Sequence, residues 1–318
     1  MPFTDVQNIL LVFTWIVLFL YGLKSFSKEV QAVGAETMNV WLSRVTNRRW
    51  RAFLLGAGLT AIIQSSSAVS SMTVALVDAG AFSFTNSLGV LLGAKVGTTV
   101  TAWLVSLRFT ETGPFFIVFG ALISMVPYRV HLVGKLFFYF GFILFSLHLL
   151  SYALKPIQQS PQIVEVLRSA EYVPVAVLVG VLVTFLVQSS SVVSGLVVVL
   201  VQTGIIELNE GVGIIIGSSV GTTSTALIAA LRLNEAAKLA AMANFLVNLI
   251  GTLVFIPLVG LLVALVRLIT PDPAFQVAFA NLIFNSVVAL TFLAFMRPFA
   301  RGLLRWRGGE LYTREVEE

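Results

Sequence analysis

The chain has no cysteine, so disulfides and thiol chemistry are excluded. It has only two histidines, His131 and His148, and neither falls in the repeated polar motifs described below. Charge is scarce: Asp, Glu, Lys and Arg make up 11% of the 318 residues, against roughly 25% in soluble domains. No hydrophilic stretch is long enough to fold alone. Hydrophobic residues fill the gap, at 58% of the chain and a mean hydropathy of +0.96. Several apolar stretches approach or exceed the ~20 residues a helix needs to cross a bilayer. These features predict an all-α polytopic membrane protein built as one compact bundle. The formal charge of +5 does not indicate a nucleic-acid partner, because the basic residues cluster at the ends of apolar runs, where they report orientation in lipid. The N-terminus lacks a basic leader region and a small-residue cleavage site, which predicts no removable signal peptide.

Hydropathy predicts crossings at about 8–30, 85–107, 113–129, 132–154, 211–231, 236–266 and 275–297. Segments 52–80 and 174–203 differ: each is apolar, is interrupted by Gln-Ser-Ser-Ser, and ends at a glycine, Gly80 or Gly204. A helix–break–helix that enters and leaves on the same side suits them, because irregular backbone at membrane depth survives only inside protein or beside a wet cavity. With both hairpins returning to their own side, 15 cationic residues fall on one face, among them Lys24, Lys28, Arg44, Arg48, Arg49, Arg129, Lys238, Arg301 and Arg314. Arg108, Lys155, Arg168 and Arg267 fall on the other. The positive-inside rule then predicts a multi-pass inner (plasma) membrane protein with its C-terminus cytoplasmic. Two short full crossings per hairpin would fit the same charges.

Residues 56–102 align without a gap with 180–226, and 20 of the 47 positions are identical. The shared residues are the polar and glycine ones: "QSSS" at 64–67 and 188–191, Ser70/Ser194, Gly93/Gly217, and "VGTT" at 96–99 and 220–223. The first copy spans an odd number of crossings, so the second must be upside down, as in secondary transporters. The predicted organisation is two inverted repeats, each with a re-entrant helical hairpin and a broken transmembrane helix. The first repeat is 1–130 with its hairpin at 52–80, and the second is 131–270 with its hairpin at 174–203. A final transmembrane helix at 271–297 and a cytoplasmic tail at 298–318 follow.

At a hairpin tip, one half-helix ends in free carbonyls and the next begins with free N–H groups. The first suits a cation and the second an anion. Serines cap or present hydroxyls, and a Gln amide offers both an acceptor and donors. Gly97 and Gly221 permit a second break, and Thr98, Thr99, Thr222 and Thr223 add hydroxyls. Asp78 is read as the only acid near this machinery. Neutral oxygens and backbone dipoles without carboxylates suit a small oxyanion, with hard cations such as Na⁺ supplying the compensating charge. The residue types alone leave phosphate, sulfate, arsenate and a carboxylate open.

The blocks "QSSSAVS" with "GAKVGTT" and "QSSSVVS" with "GSSVGTT" resemble the type II sodium-dependent phosphate cotransporter family, and the likeness extends over roughly 10–297. The resemblance implies sodium-coupled uptake of inorganic phosphate by a homodimer, with no cofactor beyond Na⁺ as coupling ion. It places phosphate at Gln64, Ser65, Ser66, Ser67, Gln188, Ser189, Ser190 and Ser191. It places sodium at Gln64, Ser65, Thr98, Thr99, Gln188, Ser189, Thr222 and Thr223. Members usually carry Asn where this chain has Lys95 and Ser219, and many bacterial members carry a PhoU-like domain, which this sequence does not show. An intramembrane ammonium is expensive. Lys95 therefore either acts as a charge partner standing in for one sodium ion, or snorkels to an interface or pairs with Asp78.

Asn244/Asn248 and Asn281/Asn285 repeat an A-N-x-x-x-N frame, each pair on one helix face. Interhelical hydrogen bonding explains them more simply than a place in the site. Trp15, Trp41, Trp50 and Trp306 read as interfacial anchors, His148 as a packing residue, and 43–51 as a cytoplasmic loop. An enzyme is not expected: there is no GxSxG, and neither histidine lies near a serine block. An anion channel is the remaining alternative.

Overall fold

The computed structural model describes residues 5–43, 49–107, 112–127, 130–158 and 172–307. The protein is an all-α, multi-pass membrane protein. Among the described residues, five apolar helical stretches are long enough to cross a bilayer: Phe84–Ser106, Val130–Leu150, Leu208–Ala230, Glu235–Ile269 and Pro273–Ala294. In chain order the helices are α1 (Asp5–Ser43), α2 (Arg49–Ile63), α3 (Ser66–Asp78), α4 (Phe84–Gly97), α5 (Val100–Ser106), α6 (Gly113–Ser124) and α7 (Val130–Gln158). They continue with α8 (Val173–Val187), α9 (Ser190–Gln202), α10 (Leu208–Gly221), α11 (Ser224–Ala230) and α12 (Glu235–Phe255). A 3-10 turn, Ile256–Leu258, joins α12 to α13 (Val259–Ile269), before α14 (Pro273–Ala294) and α15 (Met296–Arg307).

Both Gln-Ser-Ser-Ser segments break their helices as expected. α2 and α8 run 15 residues and α3 and α9 run 13, all short of the ~20 needed to span. The break has the same geometry twice. Gln64 and Gln188 adopt left-handed backbone, φ 57° and 56°, a conformation costing a non-glycine residue roughly 1–2 kcal/mol. Ser65 and Ser189 then cap the next helix, accepting from the amides of Ala68 (3.2 Å) and Val192 (3.4 Å). Gly80 and Gly204, both at φ 72°, make the turns that follow α3 and α9.

α2 lies along α4, and α8 along α10, at backbone contact. A Cβ on Gly93 would overlap the Phe53 carbonyl, and one on Gly217 the Val177 carbonyl. Gly56 on Val90 and Gly180 on Ile214 repeat the match at the same 124-residue offset. Gly97 and Gly221 belong to this seam as well, against Ala57 and Val181. They serve close approach as well as the expected break, since α4 ends at Gly97 and α10 at Gly221. The interruption beyond them is shallow, since Thr98 and Thr222 keep near-helical dihedrals (φ −61°, ψ −26° and φ −68°, ψ −20°).

Contacts between the two copies are reciprocal. α3 packs on α11 and α9 on α5, while α12 flanks α3 and α14 flanks α9. Helices α1, α6 and α7 form a group joined through α7, with Gly22 of α1 against Phe142 and Ile143, and α1 also packs on α2 and, through Phe19, on Gly195 of α9. Several boundaries move from their expected places. α1 extends to Ser43, well past the crossing predicted at 8–30, and Arg49, Trp50 and Arg51 of the expected 43–51 loop are already helical in α2. Arg44, Arg48, Arg108, Arg129, Arg168, Arg314 and tail residues 308–318 lie outside the described residues.

The glycine seam yields a direct test. Gly93→Ala and Gly217→Ala each force two backbones apart and are expected to cost about 1–3 kcal/mol. Thermal denaturation in detergent should register this as a clear fall in Tm. Gly58→Ala, a substitution that meets nothing within 4 Å, should leave Tm unchanged or raise it slightly. Equal behaviour of the three variants would contradict the seam.

Candidate functional site

The second halves of the two hairpins and the kinks of α4 and α10 enclose a central pocket of about 30 Å³, room for about two waters. Its lining comes in related pairs: Ser66/Ser190, Ser70/Ser194, Ala94/Ser218, Lys95/Ser219 and Thr98/Thr222, with Ser67 and Leu91 unmatched. α12 adds Asn244 and Asn248, and α14 adds Asn281 and Asn285. No carboxylate lines it. Ser66, Ser67 and Ser190 belong to the first turns of α3 and α9, so two helix N-termini meet here.

Many of these polar groups have no protein partner. Ser70, Ser190, Ser194 and Ser219 are 7%, 6%, 2% and 7% exposed, and none makes a side-chain hydrogen bond among the described residues. The Nδ2 of Asn281 is also buried without a partner. A buried polar atom left unpaired costs about 1–3 kcal/mol, so such a concentration marks a place built for something polar to occupy.

Lys95 is 7% exposed. Its Nζ donates to Asn248 Oδ1 at 2.5 Å and stands 5.2 Å from the centroid of the Phe284 ring, a cation–π distance. The alternative of snorkelling to an interface is thereby excluded, and so is pairing with Asp78. Asp78 sits at the far end of α3, about 18 Å of helix away. There its Oδ1 accepts from the amide of Asn234, at 2.7 Å, and its carbonyl from Asn234 Nδ2, at 2.9 Å. Glu207 and Glu210, which also fall in the second copy, form a capping box at the start of α10, away from the pocket.

The structure divides the sequence-predicted residues into three groups. Ser66, Ser67, Ser190, Thr98, Thr222 and Lys95 line the central pocket. Gln64, Ser65, Gln188 and Ser189 face a second, larger cavity on the other side of the tips. Ser191, Thr99 and Thr223 line neither, and the two threonines bond back to Val96 and Val220 of their own helices. The tips themselves are latched: Ser67 Oγ donates to the Gln188 carbonyl at 3.2 Å and lies 3.2 Å from Thr222 Oγ1. The copies differ at Gln64, whose Oε1 accepts from Thr101 at 2.7 Å, whereas Gln188 is exposed.

The asparagines are the residues that sequence reasoning undervalued. Asn248 Nδ2 donates to the Asn244 carbonyl at 2.7 Å, and Asn285 Nδ2 to Asn281 Oδ1 at 2.7 Å. Each ladder braces one amide and aims the remainder at the pocket. Their shared frame was the available signal. His131 and His148 line neither cavity, and His148 packs on Tyr152 with ring centroids 5.0 Å apart.

Residues 18–152 and 159–269 match the Na⁺/Pi-cotransporter family. The chain belongs to that family. It is a transporter family rather than an enzyme family. Among similar proteins is the uncharacterized YqeW of Bacillus subtilis (strain 168), 30% identical over 296 residues, 92% of this chain and 96% of YqeW. YjbB of Escherichia coli (strain K12), a candidate inorganic phosphate export protein, is 26% identical over 289 residues, 90% of this chain. The match spans 53% of YjbB, so the chain covers about half of that relative's length. Sodium-dependent phosphate transport protein 2C of Homo sapiens is 40% identical over 99 residues, 29% of this chain and 16% of that protein. No solved structure matches the chain.

Asn248 is the partner that makes the Lys95 position tolerable. Asn248→Ala is expected to destabilise the protein by about 1.5–3 kcal/mol, since it strips a charged donor of its acceptor. The loss should shrink when Lys95→Ser is combined with it. Strict additivity of the two substitutions in a thermal double-mutant cycle would remove the interaction.

Proposed function

We propose that this protein carries inorganic phosphate across the membrane by alternating access, in the direction of uptake, coupled to inward movement of sodium. The observation that carries this reading is the carboxylate-free central pocket, where the hydroxyls of Ser70, Ser190, Ser194 and Ser219 and the Asn281 amide lack protein partners among the described residues while Lys95 supplies positive charge. A tetrahedral oxyanion accepts hydrogen bonds on every side and suits converging hydroxyls, amides and helix N-termini. Ser66, Ser67, Ser190 and Ser194 are its ligands in this reading. Sodium takes neutral oxygens of Thr98, Thr222 and the neighbouring carbonyls. The family description and the names of the mammalian relatives favour phosphate and sodium over other ions.

The architecture supports the mechanism. Reciprocal packing of α3 on α11 and α9 on α5 supports a paired relation between the copies. In this reading the pair is inverted, with hairpins too short to span serving as re-entrant elements. Rocking of one copy against the other then exposes the pocket alternately to each side, and the Ser67 latch is part of what opens. The plasma membrane location, the cytoplasmic C-terminus and the homodimer belong to this proposal on charge sidedness and family resemblance.

Uptake needs coupling, because each negative charge moved inward opposes a negative interior by about 2.3 kcal/mol per 100 mV. In this setting Lys95 is a tethered cation that balances part of the phosphate charge and replaces one sodium ion. The name of YjbB favours a second reading, export, in which phosphate leaves down the electrical gradient without sodium.

Radiolabelled phosphate flux in proteoliposomes separates the readings. An inward sodium gradient should drive accumulation, and Ser190→Ala combined with Ser194→Ala should weaken apparent phosphate affinity about tenfold or more. Efflux from loaded vesicles that ignores sodium would instead establish export. Lys95→Asn should raise the number of sodium ions moved per phosphate by about one, read from the sodium gradient that just holds a phosphate gradient static. An unchanged ratio removes the tethered-cation role and leaves the transport reading intact.

A further inference from the structure

The hairpin tips separate two spaces. Behind them, away from the central pocket, lies a cavity of about 630 Å³ lined by Gln64, Ser65, Gln188 and Ser189 of the tips and by Leu20, Leu23, Lys24 and Lys28 of α1. Lys24 and Lys28 are four residues apart and so share one face of α1. From sequence they counted only as orientation charges at the end of a crossing. The structure sets them opposite the broken tips, in the interior stretch of a 39-residue helix.

Three observations give these lysines a ligand-binding role. Neither has an ion-pair partner among the described residues, and the acid next in sequence, Glu29, is engaged by Lys135 at 3.5 Å. The cavity contains no carboxylate to neutralise them. Its remaining wall is apolar, from Leu20, Leu23, Val187 and Val192, and low-dielectric walls strengthen the field of charges beside them. Both lysines are exposed, so their ammonium groups are open to an anion that enters the cavity.

We infer that Lys24 and Lys28, together with Gln188 and Ser189 across the cavity, form a second oxyanion site for a phosphate group. It is separated from the central pocket by the tip latch of Ser67 on the Gln188 carbonyl. The ligand is tetrahedral, anionic and rich in acceptors: two ammonium groups hold its charge, while the Gln188 amide and Ser189 hydroxyl supply donors. The cavity is about 630 Å³, ample for a phosphate that keeps part of its water. Free phosphate waiting to pass the latch and the headgroup of an anionic lipid present the same chemistry here. The site adds a binding step to the transport reading and takes the anion's identity from it, so the test reads binding rather than flux.

Inorganic phosphate is titrated onto the detergent-solubilised protein without sodium, and binding is followed by the broadening of its phosphorus NMR signal. Wild type should broaden it. Lys24→Gln with Lys28→Gln should weaken binding about tenfold and each single change about threefold. Lys24→Arg with Lys28→Arg should retain binding. Binding that survives the double glutamine change, or that is absent from wild type, overturns the assignment. Should the double glutamine variant fail to fold, undiminished binding in the single variants overturns it equally. Adding phosphatidylglycerol distinguishes the sources: displacement of phosphate identifies a lipid headgroup as resident, and no displacement identifies free phosphate. A wild type that shows this binding but no sodium-driven flux would sink the transport reading alone.

Discussion

Backbone groups inside an apolar bundle have no water to bond, so every interruption of a helix must be satisfied locally or used. The breaks at Gln64–Ser65 and Gln188–Ser189 meet this constraint by the same means. A left-handed glutamine ends one helix, with its amide still on the Thr60 or Thr184 carbonyl. A serine then caps the next helix. What is left over is the first turn of α3 and of α9, and those turns are what the central pocket is made from.

Holding two broken helices in place requires something rigid behind them. That support is the glycine seam, where α2 lies on α4 and α8 on α10 at a distance that admits no Cβ. Because α4 and α10 carry Lys95 and Ser219 and end at Thr98 and Thr222, the same contact that positions each hairpin positions the side chains its tip must meet. α12 and α14 close the pocket with the braced asparagine ladders. The arrangement is paired in its scaffold and unequal in its chemistry: Lys95 stands where the other copy has Ser219, Gln64 is held by Thr101, and Gln188 lines the α1 cavity. The proposed preference for anions rests on one ammonium group in a pocket without a carboxylate.

Much of this was legible beforehand. The repeated serine blocks, the 124-residue offset and the helix breaks followed from polar residues standing where an apolar run should continue. Other features depended on neighbours remote in the chain. Pairing Lys95 with Asp78 was reasonable because Asp78 was a nearby acid in sequence, yet α3 carries it to the opposite end and Asn248, 153 residues on, takes its place. The asparagine frame looked like ordinary helix packing because periodicity names a face without saying what that face meets. Lys24 and Lys28 looked like boundary charges because hydropathy marks where an apolar run weakens, and α1 continues as helix well beyond that point.

Composition and spacing by themselves determined a helical membrane protein, its internal duplication, the two broken hairpins and the family. These are local or periodic properties, fixed by which residues can remain in lipid and which conformations a serine–glutamine break allows. Tertiary structure decided which half of each Gln-Ser-Ser-Ser segment faces which cavity, which threonines turn away, and what Lys95 touches. Those outcomes depend on the rotation of packed helices about their own axes, and that rotation is set by glycine contacts between segments tens to hundreds of residues apart.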